Sequence, residues 1–265
     1  MQHFHILLIS FAVRDPPYLE RYIEEVKPQF ISYDDYMVEY SNDMKKAQQA
    51  ANYYADLLEV RRVSQKHGLP FWNTVASNRI RPTTSVPSPA NLAFQAFTTL
   101  AAGGRGISWY TYYQGGYSYA PIDNAGEKTK TWGYLEAVNR EVKVLGPIMN
   151  RLRSTGVFFT SPPPVKSLPL LPGRIVKAIQ SKASHAGTTE AEPPLMVGEF
   201  TDDKGTDYLM VVNLSLEQSI DIKLETVRHY KTRQVFSSED ARLSPLDEKN
   251  GRGLPAGQGV LVKLE

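Results

Sequence analysis

Leu100-Ala101-Ala102-Gly103-Gly104-Arg105-Gly106-Ile107-Ser108-Trp109-Tyr110-Thr111-Tyr112 carries a helical period on its left and an extended run on its right. Leu92, Ala96, Leu100 and Ala101 step at helical spacing up to the glycines. Gly103 and Gly104 stand just past the last apolar position, where a helix commonly stops. Ile107 to Tyr112 then reads as a short strand rich in aromatic residues. A helix handed directly to a strand is half of a crossover unit, and the chain repeats it. Working back, Pro70 to Ala76 is a strand. Met44, Ala47, Ala51, Tyr54 and Leu58 mark a helix closed by Gly68, and Phe30 to Tyr33 is another strand. Leu19, Tyr22, Ile23 and Val26 mark the first helix, ended by Pro28, and Ile6 to Ser10 is a continuous apolar run that reads as a strand covered on both faces. Working forward, Leu135, Val138, Val142, Leu145, Met149 and Leu152 step by three and four, the clearest helix in the chain. Strand and helix alternating in this way imply crossover connections and a parallel sheet.

Beyond Arg153 the pattern changes. Pro162, Pro163, Pro164, Pro169 and Pro172 impose a stiff, extended path that excludes helix. Strand-like runs follow at Ile175–Ile179, Leu195–Phe200, Tyr208–Leu214, Ile220–Leu224 and Val260–Leu264, with Asp202-Asp203-Lys204-Gly205 as a hairpin turn and His185–Pro194 as a polar loop. The expected organisation is an α/β unit over 1–153, followed over 154–265 by a small all-β sandwich.

Composition narrows the function classes. The chain has 265 residues, 42% of them apolar and 22% charged, with a formal net charge of +2. Basic residues are interspersed with acids rather than gathered in a stripe, so nucleic acid is not an expected partner. There is no cysteine, and the histidines show no metal-ligand spacing, so neither a metal nor another cofactor is expected. No apolar stretch reaches the ~18 residues of a membrane span. Phe4 to Val13 could pass for the apolar core of a signal peptide. It lacks a basic start, however, and Arg14, Asp15 and Pro16 stand where small cleavage-site residues should be.

In parallel α/β folds functional groups gather at the C-terminal ends of the strands. One such end is Ser32-Tyr33-Asp34-Asp35-Tyr36; another, Thr74 to Asn78, follows Trp72 and Asn73. The last is Trp109-Tyr110-Thr111-Tyr112-Tyr113-Gln114, whose loop runs on through Tyr117, Tyr119, Asp123 and Glu127. Rings suit the apolar faces of a sugar, while carboxylates and amides suit its hydroxyls. Glycoside hydrolysis requires two carboxyl groups facing the bond. Candidate catalytic carboxylates are therefore Asp34, Asp35, Asp123 and Glu127. Candidate sugar contacts are Tyr33, Tyr36, Trp72, Asn73, Trp109, Tyr110 and Tyr112. The plainer readings are a half-buried tyrosine rim, an Asp34 or Asp35 that caps the turn leaving its strand, and an Asp123 that forms a turn with Asn124 and Gly126.

Val26-Lys27-Pro28-Gln29-Phe30-Ile31-Ser32-Tyr33-Asp34-Asp35-Tyr36 resembles the strand-six segment of clan A glycoside hydrolases akin to the family 42 β-galactosidases, which have a Ser-aromatic-Asp-x-Tyr run there. Leu69-Pro70-Phe71-Trp72 resembles their strand seven, and Leu100 to Tyr110 their strand eight. Ala120-Pro121-Ile122 and Gly126-Glu127-Lys128-Thr129 are similar to segments of uncharacterised proteins assigned as glycoside hydrolases. The likeness covers roughly residues 5 to 150. It implies the second half of a TIM barrel, with Ile6–Ser10 as strand five and a β-domain behind it. It also implies a glycosidase acting on a β-linked sugar and, weakly, an extracellular or periplasmic location. Two departures stand out. Such enzymes carry an acid/base glutamate after strand four, which the resemblance leaves outside this chain. Their strand-seven nucleophile is a glutamate, where this chain offers Asn73, Thr74, Val75 and Ala76. Asp34 alone among the candidate acids matches a family motif position directly. The rival expectation is a non-catalytic carbohydrate-binding or structural remnant of a truncated enzyme. Because a barrel of this type closes with eight strands, exposed edges also lead us to expect a homo-oligomer.

Overall fold

A computed structural model describes residues 8–9, 16–36, 47–80, 86–183, 193–246 and 252–265. The chain is mixed α/β. Its first part alternates β1 (Leu8–Ile9), α1 (Pro16–Val26), β2 (Ile31–Asp34), α2 (Ala47–His67), β3 (Phe71–Ala76), α3 (Pro89–Ala101), β4 (Gly106–Tyr110) and α4 (Lys130–Met149). The strands form a four-stranded sheet in the order β1-β2-β3-β4, with every pairing parallel. Met44 and most of Ile6–Ser10 lie outside the described residues. The last strand ends at Tyr110, earlier than the expected Tyr112.

Local chemistry sets the helix ends. The Ser88 hydroxyl accepts from the Asn91 amide at 3.1 Å, and Pro89 fills the first helical position, whose N–H would be unpaired in any case. Thr129 caps α4 in the same way, and that helix ends at Met149, shortly after its internal Pro147. Gly68 (φ +65°) closes α2.

The remainder is β5 (Arg153–Phe159), β6 (Val176–Ala183), β7 (Leu195–Thr201), β8 (Asp207–Asn213), β9 (Ile220–Thr226), β10 (Arg233–Phe236), β11 (Leu243–Pro245), β12 (Arg252–Leu254) and β13 (Gly259–Leu264). They build a six-stranded sheet, β11-β10-β13-β8-β7-β5, and a three-stranded sheet, β12-β9-β6. Asp202 makes the β7–β8 hairpin: its carboxylate accepts from the Lys204 and Thr206 amides, each at 2.9 Å, and Gly205 takes φ +80°. Residues 184–192, most of the expected polar loop, lie outside the described residues.

The central layer of the molecule is the six-stranded sheet, buried on both faces. Along β7 and β8 side chains alternate between two cores. Leu195, Val197, Leu209 and Val211 meet Val176, Ile220 and Ile222 of the three-stranded sheet. Met196, Phe200, Tyr208, Met210 and Val212 belong instead to the core that contains the helices and the parallel sheet. This explains why β7 and β8 read as near-continuous apolar runs rather than alternating ones.

Helix α3 is the contact between the two halves, and Asn91 to Ala101 are all buried. It approaches the sheet so closely that only glycine fits beneath it. A Cβ at Gly198 would overlap the Ala101 carbonyl oxygen, one at Gly257 the Ala90 carbonyl, and one at Gly259 the Phe97 ring. Glu199, fully buried, turns the other way: its carboxylate accepts from the backbone amides of Arg174, Ile175 and Val176 at 2.8–3.0 Å, anchoring the start of β6.

Two stability predictions follow from this packing. Gly198→Ala must displace helix backbone, so it should cost about 3 kcal/mol, read as a lower urea midpoint at unchanged slope. Asp207, 2% exposed, is held by Tyr230 at 2.6 Å, Arg174 at 2.5 Å and Arg228 at 2.8 Å. Burial alone would raise its pKa, but the Tyr230 hydrogen bond and the two arginines prevail and hold it below the usual 3.8. A carboxylate with a depressed folded pKa stabilises above its unfolded value and loses that contribution as pH falls through the folded one. Asp207→Asn should therefore destabilise by ~1–2 kcal/mol at neutral pH, with the arginines' exposure limiting the effect. The difference from the parent should shrink below about pH 4, as followed by urea unfolding across pH.

Candidate functional site

Side-chain alternation divides the predicted residues between the two faces of the parallel sheet. The register pairs Ile31 with Phe71, Ser32 with Trp72, Tyr33 with Asn73 and Asp34 with Thr74; it also pairs Thr74 with Ser108, Val75 with Trp109 and Ala76 with Tyr110. Ile31, Tyr33 and Phe71 lie in the helix-side core, with Ile107 and Trp109 packed against it. The opposite face therefore carries Ser32 and Asp34, then Trp72, Thr74 and Ala76, then Gly106, Ser108 and Tyr110.

Four of the expected residues fall on the helix side. Tyr33 is fully buried in the core. Asn73 is also fully buried, and its amide donates to Thr99 of α3 at 3.1 Å. Trp109 donates from Nε1 to Asn139 of α4 at 2.9 Å. Asp35, 5% exposed, acts electrostatically on Tyr33 and Tyr53 within the helix layer. The reason in each case is parity: a residue next to one that faces the cleft faces away from it.

Trp72 is on the correct face but at the opposite end. It covers Gly106, where an added Cβ would overlap its indole, and its ring lies 5.4 Å from that of Phe30. Four steps along the strand, about 13 Å, lie between it and Ala76. Asp123 is committed to its turn: Oδ1 accepts from the Ala125 and Glu127 amides, each at 2.9 Å, and Gly126 takes φ +86°. Glu127 is exposed on the same turn.

What the structure brings together at the strand ends is Asp34, Tyr36, Tyr110 and Tyr117. The Tyr36 and Tyr110 rings lie 5.4 Å apart, and Tyr110 meets Tyr117 edge-on at 5.7 Å with their hydroxyls 2.8 Å apart. Tyr36 shares a hydrogen bond with Asp34, and its pKa is raised far above the usual tyrosine value, first by burial and then by the Asp34 charge. It therefore stays protonated as a permanent donor. Tyr110 is raised by the Tyr117 hydrogen bond first, then by burial.

Two buried amides frame this end. Gln95 of α3 accepts from the Ala76 N–H at 3.0 Å and donates to the Ala76 carbonyl at 3.1 Å, bonding the strand where β2 no longer accompanies it. Asn78, fully buried, donates to the Thr111 hydroxyl at 3.1 Å. The loop after β4 is pinned. Arg79 and Ser118 exchange two backbone bonds, Thr129 donates to the Ala120 carbonyl, and Thr131 donates to that of Tyr119. That loop presents Tyr112 at 63% exposure, with Tyr113 and Tyr119 also exposed. The sequence reading did not select Tyr117, Asn78 or Gln95; Tyr117 and Asn78 were visible as strand-end residues, whereas Gln95 sits in a helix that gives no hint of its role.

Among the described residues no group of His, Cys, Asp and Glu is placed to hold a metal ion. The arrangement offers one carboxylate, a protonated phenol beside it, and a tyrosine surface. It can accept and donate hydrogen bonds to a polyhydroxylated ligand while stacking against its apolar faces.

No protein-family model matches the chain, and no curated protein matches it. Among solved structures it is similar to a candidate alpha-galactosidase from Bacteroides fragilis NCTC 9343, at 9% identity and TM-score 0.46, over 97% of this chain and 46% of that one. It is also similar to a GH51 arabinofuranosidase from Xanthomonas axonopodis pv. citri (13%, TM-score 0.40, 97% and 57%). A third likeness is to a GH27 β-L-arabinopyranosidase from Geobacillus stearothermophilus (12%, TM-score 0.26, 96% and 61%). The chain thus spans about half the length of these proteins, and none of the three is a family 42 β-galactosidase.

Proposed function

We propose that this chain is the second half of a TIM-barrel glycoside hydrolase acting on a β-linked sugar, with the β-domain over 154–265 behind it. The observation that carries the reading is Asp34 at the C-terminal end of β2, on the sheet face away from the helices, hydrogen-bonded to Tyr36 and beside the Tyr110–Tyr117 pair. Residues 26–36 resemble the family 42 strand-six segment, which has an aspartate at the corresponding point, and this supports the reading. In this reading Asp34 contacts sugar hydroxyls and supplies acid–base chemistry, Tyr36 holds its carboxylate in place, and Tyr112 provides a stacking surface.

A second reading is favoured by one specific observation. Hydrolysis takes two facing carboxyl groups, and among the described residues Asp34 is the sole carboxylate on that face of the sheet. Asp35 lies behind it, and Asp123 is held in its turn. A second acid would be Glu127, exposed on that turn, or one from beyond the described residues. Without one, the chain binds sugar and does not cleave it.

Chromogenic β-glycosides separate the readings. Turnover supports the hydrolase, and saturable sugar binding without turnover supports the binding protein. Asp34→Asn should lower turnover by ~10²-fold or more, as for loss of a general acid–base group; full activity in that variant would sink the assignment of Asp34. The four-stranded sheet also leaves the outer edges of β1 and β4 unpaired within the described chain, and strands left so invite pairing. Self-association is accordingly expected, and light scattering on the purified chain should report a dimer or larger species. A monomer at micromolar concentration would overturn that expectation.

A further inference from the structure

At the end of the parallel sheet opposite Asp34 lies a cavity of about 660 Å³, lined by Arg61 of α2, the Gly68–Phe71 segment, Arg105, and Arg153, Ser154 and Thr155 of β5. Its volume falls in the range of small-molecule sites, ~300–1,000 Å³. Three arginines line it and no aspartate or glutamate does. None of the three pairs with a described carboxylate.

The arginines are positioned by neutral groups. Arg61 donates from Nη2 to the Ser154 hydroxyl at 3.1 Å, and Arg105 donates to the Met149 and Leu152 carbonyls at the end of α4. These bonds fix the guanidinium planes without cancelling their charge, and burial pulls both groups below the usual arginine pKa. In the cavity wall, Arg61 Nε and Thr155 Oγ1 are buried with no hydrogen-bond partner. Thr155 stands at a β-bulge between Ser154 and Gly156, a device that re-aims a side chain out of the regular ladder. Two half-buried guanidinium groups and an exposed one, lining a cavity of this size with no facing carboxylate, suit an acceptor-rich, negatively charged occupant.

We propose that this cavity binds a phosphoryl group, as free phosphate or as part of a small phosphorylated molecule. Guanidinium groups match the paired oxygens of a phosphoryl group. Three positive charges suit a dianion, and the volume leaves room for an attached group. The inference is independent of the sugar reading, since it concerns other residues at the other end of the strands.

The test is calorimetric titration of the intact chain with inorganic phosphate and with glucose 6-phosphate, at ionic strength matched by chloride. Saturable binding with Kd below ~1 mM is expected. Arg153→Gln, an exposed residue whose side chain has no hydrogen-bond partner among the described residues, should weaken it ~10-fold or more, as should Arg61→Gln. If Arg61→Gln fails to fold, Arg153→Gln decides alone. Tighter binding of the sugar phosphate assigns a phosphorylated small molecule, and equal binding assigns free phosphate; both support the proposal. Absence of saturable binding, or binding unchanged by Arg153→Gln, overturns it. So does an equal loss in Lys143→Gln, on the exposed side of α4, because the attraction would then be diffuse.

Discussion

Helix α3 lies between the parallel sheet and the six-stranded sheet, and neither half of the molecule can be packed without it. Phe94 and Phe97 are fully buried, and burying each ring contributes roughly 2–3 kcal/mol. Its polar side chains are spent inward as well. Gln95 completes the end of β3, Thr98 meets the Tyr53 hydroxyl at 2.5 Å, and Thr99 receives the Asn73 amide. A helix buried on all sides has no amphipathic stripe, and its mixture of alanine, phenylalanine, threonine and glutamine reflects that. The glycines beneath it set the distance of closest approach. The position of β3, and with it of the strand ends that carry the candidate site, thus depends on how tightly α3 seats on β7.

The helical repeats made the parallel pairing of the first four strands legible, because crossover connections impose it; their order was implied by the resemblance alone. The hairpin at Asp202 was legible too, since the turn chemistry is local. The strands missed, β5, β10, β11 and β12, are short, polar or at an edge. Arg153-Ser154-Thr155-Gly156 shows no alternation that would mark a strand, because a bulge interrupts its register there.

The site was less legible than the fold, and for a specific reason. Composition at strand ends identifies which residues are near the rim, but the two-residue period decides which of them face it. Tyr33, Asp35, Asn73 and Trp109 have the right chemistry on the wrong parity, and each has a partner or a core position on the helix side that explains its presence. Asp34, Thr74 and Tyr110 share the other parity. Polar residues such as Asn73 and Gln95 mislead because buried amides that hold a strand to a helix look, in sequence, like amides that hold a ligand. Only the partner atom separates the two cases.

Asp34 and Tyr36 also bear on what the site can do. A phenol raised far above neutrality cannot act as a base, so any proton taken from a ligand must go to the carboxylate. The hydrogen bond from Tyr36 orients the Asp34 carboxylate toward the strand ends, where a sugar hydroxyl can reach it. The strand-seven position where the resembling enzymes carry a glutamate lies in the segment Asn73 to Ala76, and none of those four residues can ionise. Under the proposed hydrolase reading, Asp34 would be one member of a carboxyl pair and its partner an acid facing it across the bound sugar.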